Sequence, residues 1–367
     1  MPPTQARWTA AQARRWHKDQ PWRVSANFYP STAGNQLEMW QAGTFDPDTI
    51  HRELGFAAAL GMNAMRVYLH DLVFHADREG LFDRMDRYLS IADGHGIATM
   101  FVFLDDCWSD HAALGPQPEP IPGVHNAMWL RCPADRGVEQ AYHDPVCRRA
   151  IRDYVAQTID RFRADPRVWA WDLYNEPHNP GKVHFRHADG SLARHDFRPM
   201  SERATFAMVD NLFDWAREVE PAQPLTVCLW QGDWAHDEPN RLAAARSDVP
   251  SFHCYGDADA LRYAIDSVAA VAPDRPMLCT EYMARTQGST FSACLPILHE
   301  RRVAAIHWGL VAGRSNTIYP WSSADNPGPL PEPDVWFHDV LRRDGSPFDP
   351  AETRLIGELT GAAPPSA

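Results

Sequence analysis

Cysteine is scarce and odd in number, seven in 367 residues, and Cys228, Cys254 and Cys279 each fall inside an apolar run of strand length. That usage argues against a disulfide framework and for buried free thiols in a reducing compartment. Long hydrophobic runs are missing as well: no stretch approaches the ~20 apolar residues that span a bilayer. The segment Met1–Arg23 carries Arg7, Arg14, Arg15 and Lys18 but no apolar core of the length a secretory leader needs. The expected location is therefore cytoplasmic. Positive charge is in deficit, with 35 Lys and Arg against 48 Asp and Glu and a net charge of −13. This argues against nucleic acid or an anionic membrane as partner. The glycines form no phosphate-binding loop, no serine sits in a nucleophile elbow, and no repeat or low-complexity linker divides the chain.

What is present is the composition of a soluble globular protein, 44% hydrophobic and 23% charged. Apolar runs alternate with amphipathic stretches, the pattern of a βα-repeating fold. Strands are expected at Val24–Tyr29, Ala64–Leu69, Ala98–Leu104, Val168–Asn175, Leu225–Trp230, Ser251–Tyr255, Met277–Glu281 and Ala304–Leu310. Helices are expected at Pro47–Leu60, Leu81–His95, Val146–Phe162, Ser201–Val219, Ala258–Val271 and Ser289–Arg301, with a weakly marked fifth near Glu238–Ala245 and an eighth at Val335–Leu341. Asp46-Pro47 and Asp144-Pro145 each pair an N-cap with proline at the first helical position. Eight strands close a barrel. The fold class is α/β, a single (β/α)8 (TIM) barrel with enlarged βα loops. Residues 1–21 form an N-terminal extension, 22–345 the barrel, and 346–367 a C-terminal segment with a disordered tail from Gly361. Three long connections, Asp105–His143, Pro177–Pro199 and Ala312–Asp334, follow strands and so belong to the face where barrel active sites lie.

Two of the apolar runs end in a carboxylate, Glu176 after Val168–Asn175 and Glu281 after Met277–Thr280. A lone glutamate is usually a solvated surface charge, but the end of a buried strand offers no solvated helix face. Hydrolysis of a sugar acetal needs one carboxyl group to protonate the leaving oxygen and one carboxylate to attack the anomeric carbon or activate water. Ending the fourth and seventh strands, these two can face each other across the mouth.

Asn175-Glu176-Pro177 after an aromatic strand, with Glu281 on a later one, resembles the clan A glycoside hydrolases, most of all the cellulase-type family 5 and its relatives. Arg66 in Met65-Arg66-Val67-Tyr68, His253-Cys254-Tyr255 and Trp308 match further positions of that pattern over residues 22–345. The resemblance implies a retaining β-glycosidase. Glu176 would be the acid/base and Glu281 the nucleophile, with Asn175 on the sugar 2-hydroxyl. Arg66 and Tyr255 would donate to Glu281, His253 would lie near Glu176 or a sugar hydroxyl, and Trp308 would be the floor under the sugar. This chemistry wants Glu176 raised in pKa and Glu281 depressed. One departure stands out. Many family members carry a histidine after the third strand, where this chain has Asp105-Asp106-Cys107-Trp108. Asp105, Asp106 or Asp71 is expected to replace it on a sugar hydroxyl, against the alternative of loop capping or an arginine partner.

There are 14 Trp, and Trp40, Trp108, Trp129, Trp230, Trp234 and Trp321 fall in or beside the mouth loops. Indole faces stack on sugars, although any one of them is more often core. His184 and His187 hint only weakly at a metal, and no metal or cofactor is expected. The partner is a carbohydrate substrate. Short oligosaccharides or small glycosides cleaved from the end are favoured over endo-cleavage of cellulose, mannan or xylan. A metal-dependent barrel isomerase or hydrolase leaves Asn175-Glu176-Pro177 unexplained, and a non-catalytic sugar-binding barrel leaves both glutamates unexplained.

Overall fold

Parallel strands buried along nearly their whole length ring a common axis, which is why they read as continuous apolar runs rather than alternating ones. The computed structural model describes residues 6–179, 182–186, 192–196, 201–230, 232, 237–325 and 330–362. In chain order the barrel strands are Val24–Asn27, Ala64–Tyr68, Ala98–Asp105, Val168–Asn175, an interrupted fifth (Leu225–Thr226 and Cys228–Leu229), Ser251–His253, Leu278–Glu281 and Ala304–Trp308. The two pieces of the fifth strand close the ring. Leu225–Thr226 pairs with the fourth strand and Cys228–Leu229 with the sixth, while the first strand pairs with the second and the eighth. The architecture is the expected (β/α)8 barrel. Its register sets Trp308, Asn27 and Arg66 abreast across the eighth, first and second strands.

The outer helices Pro47–Ala59, Arg78–Gly94, Pro145–Phe162, Glu202–Glu218, Glu238–Arg246, Ala258–Val271 and Phe291–Glu300 follow the first seven strands. Both Asp-Pro starts behave as caps: Asp46 accepts from Thr49 N at 3.0 Å and Asp144 from Val146 N at 2.7 Å. The eighth helix is a correction. Val335–Leu341 is not helical, because every residue from Trp336 to Leu341 is buried rather than one face of them. The segment is instead an extended strap laid over the mouth, with Phe337 N on Ile318 O and His338 N on Thr317 O. The last helix comes later, at Pro350–Thr360, inside what reads from sequence as a C-terminal segment. Gly361 follows as its left-handed C-cap, and the rest of the expected tail, 363–367, lies outside the described residues.

A helix not anticipated from the sequence, Ala10–Lys18, plugs the N-terminal end of the barrel. Its Ala13 packs against Ala64, Met100, Ala170, Leu278 and Ala304 from the strand starts, and Trp16 stacks on Trp169 at 5.6 Å. Arg7 donates to Ser247 O at 2.7 Å, Trp8 N to Asp248 at 2.8 Å, and the His17 ring bonds Arg302 O at 2.9 Å.

At the opposite end the long loops meet. The connection after the third strand, which ends in the helix Gly137–His143, is stitched to the one after the eighth. Asn126 N donates to Ser315 O at 2.9 Å, His125 N to Ser323 Oγ at 3.0 Å and Asn316 Nδ2 to Ile121 O at 3.0 Å. The segment after the first strand joins them through Arg314 N on Ser31 O and Gln36 Nε2 on Leu130 O. These bonds tie the loops after the first, third and eighth strands to one another. Pro177–Pro199 carries an antiparallel hairpin, Lys182–Arg186 against Leu192–Asp196, and the rest of it from 180 onward lies outside the described residues. Among the described residues no helix is long and apolar enough to cross a membrane, and all seven cysteines are free.

Candidate active site

Both glutamates sit where parallel strands run out. Glu281 closes the seventh strand, opposite His253, and a register shift after Cys279 re-aims it toward the axis. Glu176 stands one residue past the fourth strand in a left-handed conformation, φ 45°. A β-carbon residue held there is strained and stays only where its surroundings fix it. Here the Glu176 N–H donates to Cys228 Sγ at 3.0 Å. Each glutamate offers an oxygen within 4.8 Å of the other.

Glu281 is surrounded by donors. Arg66 Nη1 reaches Oε1 at 3.0 Å, Tyr68 donates to the same oxygen at 2.9 Å, and Tyr255 donates to Oε2 at 2.7 Å. Arg66, wholly buried, also donates to Asn27 Oδ1 at 2.7 Å, to Asp172 Oδ2 through Nε (3.0 Å) and Nη2 (2.8 Å), and to Asn175 Oδ1 at 2.7 Å. The last bond turns the Asn175 amide so that Nδ2 meets Asp105 Oδ1 at 3.0 Å.

The hydrogen-bond partners of Glu176 are all neutral. Oε2 accepts from Asn179 Nδ2 at 2.7 Å and from the Cys107 thiol at 3.1 Å, and Oε1 lies 2.8 Å from His253 Nδ1. His253 also stands 3.4 Å from Glu281, and burial pushes it down to about 4, so it is neutral near pH 7.

Burial raises Glu176 as the chemistry requires, against the bonds from Cys107 and Asn179. The depressed Glu281 is a correction. Burial raises it too, with Glu176 adding to the rise and Arg66 and the bond from Tyr255 opposing it. Two carboxyls this close do not both ionise cheaply, so they titrate as a pair. The guanidinium and two phenols favour charge on Glu281, which leaves the shared proton with Glu176.

The pair opens into a cavity of about 380 Å³ lined by Trp108, Trp230, Trp308 and Trp321, with Asn175, Cys107, His125 and His338 in its wall. Trp308 and Tyr255 are therefore where the resemblance implies, and Arg66 acts from beneath Glu281. Trp40 and Trp129 are core instead: both are buried, with Nε1 on Tyr68 O and Asp105 Oδ2 respectively. Trp234 and His187 lie outside the described residues.

The aspartates expected on sugar hydroxyls are corrections. Asp105 is buried behind the wall, held by Asn175, Trp129 and Cys107 N, and it orients Asn175 rather than facing the cavity. Asp106 is locked by Tyr174 and His178 N. Asp71 does not line the cavity; it lies 3.1 Å from the His70 ring and accepts from Cys132. The residue that does take the place after the third strand is Cys107. Tyr68 was findable, two positions from Arg66 on the same strand face, and Asn179 lies one turn beyond Glu176. His125 and His338 carry no sequence signal, because only tertiary folding brings them together.

Glu176, His253 and Glu281 converge closely enough to share a cation, but the Arg66 charge 3.0 Å from Glu281 already neutralises that position.

A (β/α)8 barrel with a carboxylate just past the fourth strand and another ending the seventh is the arrangement that the sequence resemblance to clan A glycoside hydrolases, family 5 above all, leads one to expect. No protein-family model matches the chain. It is 25% identical over 189 residues to the probable mannan endo-1,4-beta-mannosidase C of Aspergillus terreus, spanning 47% of this chain and 41% of that protein. A GH5_18 protein of Streptomyces cattleya, crystallised with Manβ1-4GlcNAc, superposes with a TM-score of 0.62 at 14% identity, covering 94% of this chain and 82% of that one. The exo-beta-1,4-mannosidase Op5Man5 of Opitutaceae bacterium strain TAV5 gives 0.59 at 16% identity, covering 93% and 59%.

Proposed function

We propose that this protein is a retaining β-glycoside hydrolase that removes terminal sugars from short oligosaccharides or small glycosides, with β-mannosides the first substrates to try. The observation that carries the reading is the approach of Glu176 and Glu281 to within 4.8 Å. Retaining enzymes hold their carboxyl groups ~5–5.5 Å apart, whereas inverting ones leave ~6.5–9.5 Å for a water. In the first step Glu281 attacks the anomeric carbon while Glu176 gives its proton to the departing oxygen. In the second, Glu176 takes a proton from water, which displaces Glu281. Arg66, Tyr68 and Tyr255 keep Glu281 ionised and aimed; Asn175, its amide turned by Arg66 and Asp105, meets the sugar 2-hydroxyl; Trp308 supports the ring.

The mannoside assignment rests on the mannosidase names of the relatives, and the exo assignment on the large loops after the first, third and eighth strands, bonded to one another at the mouth. No metal or cofactor takes part, and the free cysteines suit a cytoplasmic location. Turnover of a panel of 4-nitrophenyl glycosides, with the first-formed anomer read by proton NMR, tests the reaction class. Inversion, or indifference to the loss of both glutamates, refutes it. An EDTA-sensitive activity restored by one divalent ion refutes the metal-free reading. The relative's endo-mannanase name favours one rival, endo-cleavage, and a rapid early fall in the viscosity of soluble mannan would establish it.

A further inference from the structure

We propose that His125 and His338 form a pair of hydrogen-bond acceptors that reads two hydroxyls of the bound sugar and restricts the cavity to uncharged sugars, a specificity that rests on the glycosidase reading above. His125 Nδ1 lies 2.8 Å from Tyr319 O and His338 Nδ1 lies 2.6 Å from Met283 O. A carbonyl only accepts, so each Nδ1 carries a hydrogen. Burial keeps both rings neutral: it takes His125 down to about 4 and His338 well below its ordinary value. A neutral imidazole protonated at Nδ1 has a bare lone pair at Nε2, the nitrogen left to the cavity that both residues line.

The two rings stand 5.2 Å apart and come from different loops, His125 from the connection after the third strand and His338 from the strap. Each is pinned by its own backbone, His125 N on Ser323 Oγ and His338 N on Thr317 O. They are thus fixed before substrate arrives, and fixed partners lose little entropy on binding. His338 is 5.6 Å from the ring of Tyr255, which bonds Glu281, so the pair addresses the sugar under attack or its immediate neighbour.

Among the described residues lining the cavity there is no lysine or arginine. Sugar hydroxyls have hydrogens to donate to such a wall. The carboxylate of a uronide, or a sulfate, has none and meets lone pairs beside Glu176 and Glu281, while Arg66, whose charge is already matched to Glu281 and Asp172, does not line the cavity.

The test takes the neutral 4-nitrophenyl β-glycoside turned over best, its 3-, 4- and 6-deoxy analogues, and the matching uronide. For the wild-type protein, kcat/KM should fall roughly tenfold at two of the three deoxy positions, and the uronide should be turned over far more slowly than the parent. His125→Asn and His338→Asn keep an amide nitrogen for the carbonyl but leave nothing at Nε2. Each should lose roughly tenfold on the parent and become indifferent to one deoxy position. His125→Gln and His338→Gln, which can set an amide oxygen near Nε2, should recover part of the loss. A flat deoxy panel with the wild-type protein overturns the pair. So do deoxy penalties that persist unchanged in both Asn variants at a native melting temperature. If the variants unfold, the wild-type panel decides alone. A wild-type protein that turns over no glycoside refutes the glycosidase reading and this pair with it, whereas good turnover with a flat deoxy panel refutes the pair only.

Discussion

Replacing Cys107 with alanine should move the alkaline limb of the pH–rate profile upward. The thiol donates to Glu176 Oε2 at 3.1 Å, beside the Asn179 amide at 2.7 Å. Burial and the neighbouring Asp105 and Glu176 hold the thiol itself far above its ordinary value, so it remains an S–H donor throughout the working range. A hydrogen bond to a carboxylate favours the ionised form and lowers its pKa. Such a bond contributes about 0.5–1.5 kcal/mol, and a pKa unit corresponds to about 1.4 kcal/mol. Losing it should raise Glu176 by about 0.4–1 unit, toward the lower figure because sulfur is a weak donor. In the proposed mechanism Glu176 works protonated as general acid, so a higher pKa keeps it competent to higher pH. The acid limb, governed by Glu281, keeps Arg66, Tyr68 and Tyr255 and should move less. The assay is kcat/KM against pH for an aryl glycoside with a poor leaving group, where protonation matters most. Cys107→Ser restores a donor and should bring the limb back toward the wild-type position. A folded Cys107→Ala enzyme whose alkaline limb stays in place, or moves down, refutes the reasoning.

Glu281→Ala should lose most activity and regain it in azide with the opposite anomer as product, while Glu176→Ala should still form the glycosyl-enzyme from substrates with good leaving groups; near wild-type turnover by both variants refutes the assignments. Arg66→Met leaves Asp172 and Glu281 buried without their cation, which should cost about 3–5 kcal/mol in denaturant unfolding; an unchanged midpoint contradicts that account. Burial raises Asp106 to about 7, well above its unfolded value, so the stability its protonated form contributes is complete at low pH and is lost as pH rises through about 7. Asp106→Asn escapes that loss, and its melting temperature relative to wild type should therefore improve from pH 5 to pH 8; a relative decline over that range counts against the buried neutral carboxyl.

The barrel was readable because its strands are buried on both faces, and a run such as Val168–Asn175 shows this without any partner in view. Glu176 and Glu281 were readable for the same reason, since a carboxylate ending such a run has few structural explanations. Val335–Leu341 reads as a helix because seven residues are too few to establish a period; a strap buried from Trp336 to Leu341 and a short helix look alike in sequence. The fifth strand reads as one run in the sequence, yet its halves pair with different neighbours, a fact held in the closure of the sheet. Asp105 and Cys107 exchange roles for a geometric reason. The last strand residue turns under the wall toward Asn175, and the thiol two positions on reaches the cavity. The titration of Glu281 depends on a second carboxyl that only folding supplies.

The plug at the N-terminal end of the barrel bears on the order in which the molecule is built. On a chain made from its N terminus, Ala10–Lys18 is synthesised before the barrel strands that hold it. Its anchors, Ser247, Asp248 and Arg302, lie 240, 240 and 285 positions downstream. Nine residues are too few for a helix to persist alone in water. The segment must therefore wait, exposing Trp8 and Trp16, until the strands that form its socket have been synthesised and closed. Docking of this helix is then a late event of folding, governed by loop closure over some 240 to 285 positions. Until it happens the strand starts around Ala64, Met100 and Ala304 stay uncovered, and a nascent barrel at that stage presents a greasy floor to whatever chaperone surveys it.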